Sequence, residues 1–563
     1  MSLYAELRRR NVIKVASLYV IASLLLIWLT WVARTQLGLP TFAEEFVTVL
    51  VIVGFPVALI FAWVYEITPA GLRKAVDVDQ TQSIVFKTGQ KLNAAIMVTA
   101  GLAIAALVVD QMLPELAVPP PPEPEPVPTV EDVADKALGG DVPAEIVSWT
   151  MANGLRVIVW PDHDIPNVAM YNFVRAGGRN EYPGITGVAH FFEHMMFNGT
   201  SRHDPGEFDR IMEANGGSNN AYTTKDITVY TDWFPRTALE VMFGLEADRF
   251  ANLAFDDDVI ESERGVVYSE RRTRVDNDNT GRLYEQMNAT AFVAHPYQFP
   301  VIGWPSDIEG WTKADLRTFY RRYYAPNNCT LVVVGDVTPG EIFRLAENYF
   351  GPIAPQAPPP PIRTVEPGQS GERRLVIETD AQTPLVHVAF HGGRASDPET
   401  LAMELLLTIL ADGDSSRLHR RLVEDDALAI SVGGYQQEGF DPGLVYFDMT
   451  LPPDGDPAAA EAALFEELAG IAADGVTEAE LAKAKNVMLA DFWRQLATIS
   501  GKAQALGTHE VFYGGYEALF AKPRNVDAIT VDALKAVAGQ VFSRRNATIG
   551  LLRPPAAAPG DAS

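Results

Sequence analysis

The sequence predicts an α+β architecture: two related α/β-sandwich-like domains, each with helices packed on an antiparallel-rich sheet, after an all-α transmembrane region. Three observations predict it. Three uncharged apolar runs crowd the first 113 residues. Two proline clusters, PPPPEPEPVP at 119–128 and PIAPQAPPPPI at 352–362, divide the remainder of the chain. The strand-like segment VAMYNFVRAGGR ends at Gly177-Gly178-Arg179, and LVHVAFHGGR ends at Gly392-Gly393-Arg394. A helical pattern comes after each within about a dozen residues, which marks an internal repeat.

At 563 residues the chain exceeds what one compact core accommodates. Its 45 basic and 72 acidic residues leave a net charge of −27. That excludes nucleic acid as a partner, because phosphate binding needs a cationic surface. Cys329 is the single cysteine. The chain can form neither an internal disulfide nor a cysteine-based metal cluster, so any metal must sit on histidines and carboxylates.

The apolar runs are Val15–Ala33, Phe46–Tyr65 and Leu92–Val109. Each has the length of a helix crossing a hydrocarbon layer of ~30 Å. Arg8, Arg9, Arg10 and Lys14 precede the first run, and Arg73, Lys74, Lys87 and Lys91 lie between the second and third. The positive-inside rule puts the N-terminus and the 66–91 loop in the cytoplasm. Three crossings carry the rest of the chain to the opposite side, the periplasm in a bacterium with two membranes. Residues 3–71, with ELRRRNVIKVASLYVIASLLL and GFPVALIFAWVYEITPAG, resemble a membrane module found at the N-terminus of several bacterial multidomain proteins. That resemblance implies an anchor in the inner membrane.

The remaining boundaries come from composition. Residues 1–113 form the anchor and 114–143 a proline-rich linker, whose extended polyproline segment can span roughly 45 Å. Residues 144–352 form a first domain, 353–372 a second linker, 373–553 a second domain and 554–563 a disordered tail. The repeat offset of 215 (392 − 177) places Leu405, Thr408 and Ile409 where the first domain has His190, Glu193 and His194. Only the first copy therefore keeps polar chemistry on that helix.

His190-Phe191-Phe192-Glu193-His194 is the most informative pentapeptide. The segment GITGVAHFFEHMMFNGT reads as a helix, with Thr186 as N-cap and Asn198-Gly199 as its stop. Histidines at i and i+4 share one helical face and can reach one cation. Glu193 points toward the same region and can lie beside a water there. The order inverts His-Glu-x-x-His and keeps the same division of labour. A catalytic zinc site takes a third protein ligand. The segment DDVIESERGVVYSERRTR at 257–274 reads as a helix, with Glu263 and Glu270 close to two turns apart. Spacing alone does not choose between these and the other acidic residues.

HFFEH, with ESERGVVYSE at this interval downstream, resembles the pitrilysin–insulinase family of zinc metallopeptidases, which includes the mitochondrial processing peptidase. The resemblance runs from Val147 to Pro352 and more diffusely to Arg553. It implies His190, His194 and Glu270 as Zn2+ ligands, Glu193 as general base, and Glu263 as a further catalytic-site glutamate that orients a ligand. It also implies that GGSNNAYTTKDITVY at 216–230 is an edge strand pairing with extended substrate, with Asn220 and Ala221 on it. PYQFPVIGWP at 296–305 matches another family segment.

The implied reaction is zinc-dependent hydrolysis of peptide bonds in short or unfolded polypeptides. In the family's second half an Arg and a Tyr seven residues apart assist substrate binding, and here those positions carry Val423 and Ile430. That departure implies a dimer, either with a second family subunit supplying the missing pair, the favoured reading, or of two copies of this chain. The competing expectation is a catalytically silent scaffold or assembly subunit, and the intact set His190, Glu193, His194 and Glu270 counts against it.

Overall fold

The computed structural model of the chain describes residues 142–555, together with 65–68, 71–74 and the helical residues Tyr19 and Ser23. The chain divides into two compact units, Met1–Thr129 and Val130–Ser563. In the first, Tyr65–Thr68 and Gly71–Lys74 form an antiparallel hairpin with Thr68 opposite Gly71. This corrects the expectation that the region is all-α: β-branched Ile67 and Thr68 with a proline next in the chain favour a strand and a reversal over a continued helix. Apart from Tyr19, Ser23 and Tyr65, the three predicted spans lie outside the described residues. Nearly all of the first linker and most of the tail do too. Among the described residues no helix is long and apolar enough to cross a membrane.

The second unit contains two sheets. Strands β1 (Val147–Thr150), β2 (Arg156–Pro161), β3 (Asn167–Val174), β4 (Ser218–Thr223), β5 (Thr228–Pro235) and β6 (Cys329–Gly335) make a six-stranded sheet, ordered β1-β2-β6-β3-β5-β4. Strands β7 (Arg373–Glu378), β8 (Leu385–His391), β9 (Ser431–Gln436), β10 (Leu444–Thr450) and β11 (Ala547–Arg553) make a five-stranded sheet, ordered β9-β10-β8-β11-β7. Read from its other edge, the second order repeats the first without β1. The directions match as well. The β2–β6 and β7–β11 pairs are parallel and the other neighbours antiparallel. The internal repeat seen in the two Gly-Gly-Arg segments is thus a repeat of topology.

Strand β6, CTLVVVG, is buried along its whole length, as a central strand covered on both faces must be. Period-two alternation assigns the faces of the first sheet. Val157, Val159, Val168, Met170 and Val333 join one core with the helix α1 (Val188–Met195). Ile158, Trp160, Ala169, Phe173 and Val332 face the opposite way. That second face is covered by a helix from the other half of the chain. With α2 (Asp257–Arg271), α3 (Asn279–Ala291), α4 (Thr400–Ala411), α5 (Glu478–Gln495) and α6 (Ile499–Phe512) defined, the helix in question is α6, through Ala503 and Leu506. Reciprocally, Leu283, Met287 and Ala291 of α3 pack on Leu385, Ala389 and Tyr446 of the second sheet. Each half lends one helix to the other's sheet. A Cβ on Gly507 of α6 would lie 2.0 Å from the Phe173 ring, so that close approach requires glycine.

The second proline-rich segment is strapped down. Asn327 Nδ2 donates to the Gln356 carbonyl at 2.8 Å. The Glu366 carboxylate accepts from the backbone N–H of Val293, Ala294 and His295, each at 2.9 Å. Gln369 Nε2 donates to the Ala547 carbonyl at 2.8 Å.

Candidate metal centre

The α1 helix is amphipathic in the sense its sequence dictates. Val188, Ala189, Phe191, Phe192 and Met195 are buried in the first core, which turns His190, Glu193 and His194 toward α2 and β4. Its start differs from the expectation. Thr186 is not the N-cap; Gly187 is, with a left-handed φ of 86°. A Cβ at Gly187 would lie 2.6 Å from the Ile302 carbonyl, inside the PYQFPVIGWP segment, so the helix enters over a glycine contact. Thr186 Oγ1 is occupied elsewhere, donating to Asp307 Oδ2 at 2.7 Å and accepting from Trp304 N–H at 3.0 Å. The free N–H groups of Gly187 and Ala189 donate to the buried Glu181 carboxylate at 2.7 Å each. Burial pushes the Glu181 carboxyl up to about 8, against those two hydrogen bonds.

His190, His194 and Glu270 come together with one ligand atom each, all within 4.8 Å of one another. His190 Nε2 lies 3.5 Å and His194 Nε2 3.3 Å from Glu270 Oε2. Zinc with arms of ~2.0–2.1 Å at tetrahedral angles holds its ligand atoms about 3.3–3.4 Å apart, so the two histidine–Glu270 distances match that ion, while the three-atom cluster as a whole is looser, within 4.8 Å. With both imidazoles neutral, as metal ligands must be, Glu193, Glu263 and Glu270 against Arg274 carry a formal charge of −2, which a divalent cation balances. His194 Nδ1 is 2.7 Å from Glu263 Oε1, which fixes the ring and leaves Nε2 for the site. The other Glu270 oxygen is ion-paired with Arg274, 2.8 Å from its Nε.

The electrostatics separate the two imidazoles. Burial, then the neighbouring His194, lowers His190 to about 4 and keeps its ring neutral. Burial opposes charge on His194 as well, but the hydrogen bonds to Glu263 and Glu270 prevail and lift it to about 9. Its hydrogen bond to His194 holds Glu270 below the ordinary carboxylate range. Burial raises Glu193, partly offset by a hydrogen bond from Thr223. That bond, Thr223 Oγ1 to Glu193 Oε2, is 2.5 Å long.

Strand β4, which carries Thr223, is an edge of the six-stranded sheet, and among the described residues β5 is its one strand neighbour. Ala221 shares the Thr223 face and packs against the first core; Asn220 is exposed on the alternate face, its Oδ1 accepting from the Ala221 N–H at 2.9 Å. Val423 packs against the second core, and Ile430 is exposed just before β9. On α4, Leu405 and Ile409 are buried and Thr408 Oγ1 donates to the Glu404 carbonyl at 3.1 Å. Sequence reading missed Glu181, Thr223, Asn198 and Arg274. Two of these carried a signal. Arg274 stands four residues after Glu270, and Thr223 shares a strand face with Ala221. Glu181 gave no signal, and Asn198 signalled only a helix stop, because its bond to Glu263 spans 65 residues.

Among the described residues, the repeat carries its cluster of metal-ligating side chains on the first half. Residues 156–303 match the family described as Insulinase (Peptidase family M16), and residues 310–488 match the family described as Peptidase M16 inactive domain. The chain belongs to the M16 family. It is 31% identical over 412 residues to the zinc protease PqqE of Helicobacter pylori, covering 72% of this chain and 92% of that protein. It is 30% identical over 405 residues to a protein of Mycobacterium leprae named as a zinc protease, covering 71% of this chain and 90% of that one. Among solved structures, a protease from Helicobacter pylori superposes with a TM-score of 0.71 at 30% identity, covering 73% of this chain and 99% of that chain. A Pseudomonas fluorescens structure described as a peptidase M16 inactive domain has a TM-score of 0.67 at 19% identity, covering 73% and 98%, and shares the fold.

Proposed function

We propose that this chain is a membrane-anchored zinc endopeptidase that hydrolyses short or unfolded polypeptides. The observation that carries the reading is the donor set itself: two imidazole nitrogens at 3.5 and 3.3 Å from one carboxylate oxygen, close to the ligand–ligand separation of tetrahedral zinc. Its relatives named zinc proteases support the same reading. His190, His194 and Glu270 hold the ion. A zinc ion there supplies Lewis acidity, lowering the pKa of water toward ~7 and polarising the scissile carbonyl. Glu193 takes the proton of the attacking water and hands it to the departing amine. Its burial raises its proton affinity, which suits a base that must also serve as acid. Thr223 holds one Glu193 oxygen and leaves the other for the water. Glu263 keeps the His194 ring in place. The outer edge of β4, with Asn220 and Ala221, receives an extended substrate as an added strand.

The apolar runs in the first 113 residues support an anchor in the inner membrane of a bacterium, with the N-terminus cytoplasmic and the peptidase halves periplasmic. The apolar residues Val423 and Ile430, where the family carries an Arg and a Tyr, support a dimer in which a second family subunit completes the substrate site. The silent-scaffold reading draws on the match of residues 310–488 to the inactive domain. That match begins at residue 310, past His190, His194 and Glu270, and lies mostly in the half whose α4 carries Leu405, Thr408 and Ile409.

The test compares wild type with Glu193→Gln for cleavage of an unstructured peptide, with bound zinc measured on both. The expected variant keeps its zinc and loses about 10²–10⁴-fold in turnover. Equal turnover removes Glu193 from the reaction, and a zinc-loaded wild type without turnover favours the scaffold.

A further inference from the structure

Just past α1, Asn198 reaches back to the metal centre. Its Nδ2 donates to Glu263 Oε2 at 2.8 Å and to the His194 carbonyl at 3.1 Å. Both partners are acceptors, so only the amide nitrogen can occupy that position. The opposite oxygen of the same Glu263 carboxylate is the one 2.7 Å from His194 Nδ1. A carboxylate with one anchored oxygen can still swing about its side-chain torsions; with both oxygens held, its plane is set. The main chain that carries Asn198 is itself fixed. Its N–H donates to the Met195 carbonyl at 2.9 Å, and the next residue, Gly199, turns at a φ of 96° against Pro205.

We infer that Asn198 is a positioning residue for the metal centre: by holding Glu263 it fixes the His194 ring with Nε2 aimed at the ion, and so sets zinc affinity. The inference rests on the zinc reading of the site. Outer-shell hydrogen bonds to a ligating histidine typically change metal affinity about 10–100-fold. A donor is what the position needs, so size and shape alone do not suffice. Asn198→Asp keeps the shape, removes the donor and sets two carboxylates against each other. Asn198→Leu removes the donor without adding charge.

The bond to residue 263, though not the one to the His194 carbonyl, can also be reversed in polarity. In a chain carrying both Asn198→Asp and Glu263→Gln, the new amide at 263 donates to the new carboxylate, and its oxygen still accepts from His194 Nδ1. The experiment measures zinc dissociation constants by chelator competition for wild type, N198L, N198D, E263Q and the N198D/E263Q pair, with circular dichroism of each apo protein. N198L and N198D are expected to bind zinc more weakly than wild type, by up to about 10-fold, the low end of the range for a residue bonded directly to a ligand. The double variant is expected to bind more tightly than N198D alone, a recovery that loss of packing does not produce. Single variants within twofold of a zinc-binding wild type would overturn the inference and leave the site standing. A wild type without one tightly bound zinc would overturn both.

Discussion

Thr223 shows how much of this centre depends on side chains that bind nothing themselves. Its hydroxyl donates to Glu193 at 2.5 Å and lies 3.3 Å from Thr228 Oγ1, which in turn donates to the Ala176 carbonyl at 2.9 Å. Glu193, the proposed base, is thereby tied to the edge strand proposed to receive substrate. Thr223→Val keeps the shape and removes the donor. It is expected to lower kcat up to ~10²-fold, the cost of letting a reacting group drift by about an ångström, with KM nearly unchanged. Thr223→Ser restores the donor and is expected to recover most of the loss. Steady-state kinetics on one unstructured peptide decide it, and a Val variant with the wild-type kcat excludes the role. The two histidines were legible as a pair from their i, i+4 spacing, because a helix puts such residues on one face whatever surrounds it. Glu270 was not singled out by spacing among the acids of its segment. Its approach to His190 and His194 depends on where α2 packs.

At the scale of elements, α5 illustrates how a local signal fixes a helix start. Thr477 and Glu480 form a capping box: Thr477 Oγ1 accepts from the Glu480 N–H at 3.2 Å, and the Glu480 carboxylate accepts from the Thr477 N–H at 2.8 Å. Thr477→Ala is expected to cost about 1 kcal/mol, read as a lowered thermal midpoint. Glu480 is also gripped by Arg417 at 2.6 and 2.8 Å. That hydrogen bonding, ahead of the opposing effect of burial, lowers its pKa to about 2 from an ordinary 4.5. The unfolded chain therefore takes up this proton before the folded one does. The stabilisation is complete above pH 4.5 and disappears as the pH falls from 4.5 toward 2. In Glu480→Gln the thermal midpoint is expected to decline less steeply over that window; an unchanged slope would refute the assignment. By contrast, the start of α1 was misread from sequence. Thr186 has the side chain of an N-cap, but Asp307 and Trp304, far along the chain, claim its hydroxyl.

At the scale of the whole second unit, the two halves are joined by exchanged helices. The α6 helix covers the back of the first sheet and α3 covers the back of the second. Gly507→Val would drive its side chain into the Phe173 ring, which a Cβ already approaches to 2.0 Å. Overpacking of this kind costs typically about 1–3 kcal/mol, and here it is expected to lower the thermal midpoint through both halves together. Pairing it with Phe173→Ala should return part of the loss. Additive effects of the two changes would show that α6 and β3 do not bear on one another.

Sequence by itself determined the alternation of buried faces, the amphipathic α1 with its paired histidines, and the recurrence of a strand ending in Gly-Gly-Arg. All of these are periodicities that a helix or strand expresses locally. Tertiary structure alone decided which carboxylate meets the histidines, which threonine holds Glu193, and which helix covers which sheet. Those contacts join residues far apart along the chain, and only the packing of nonlocal apolar surfaces brings them together.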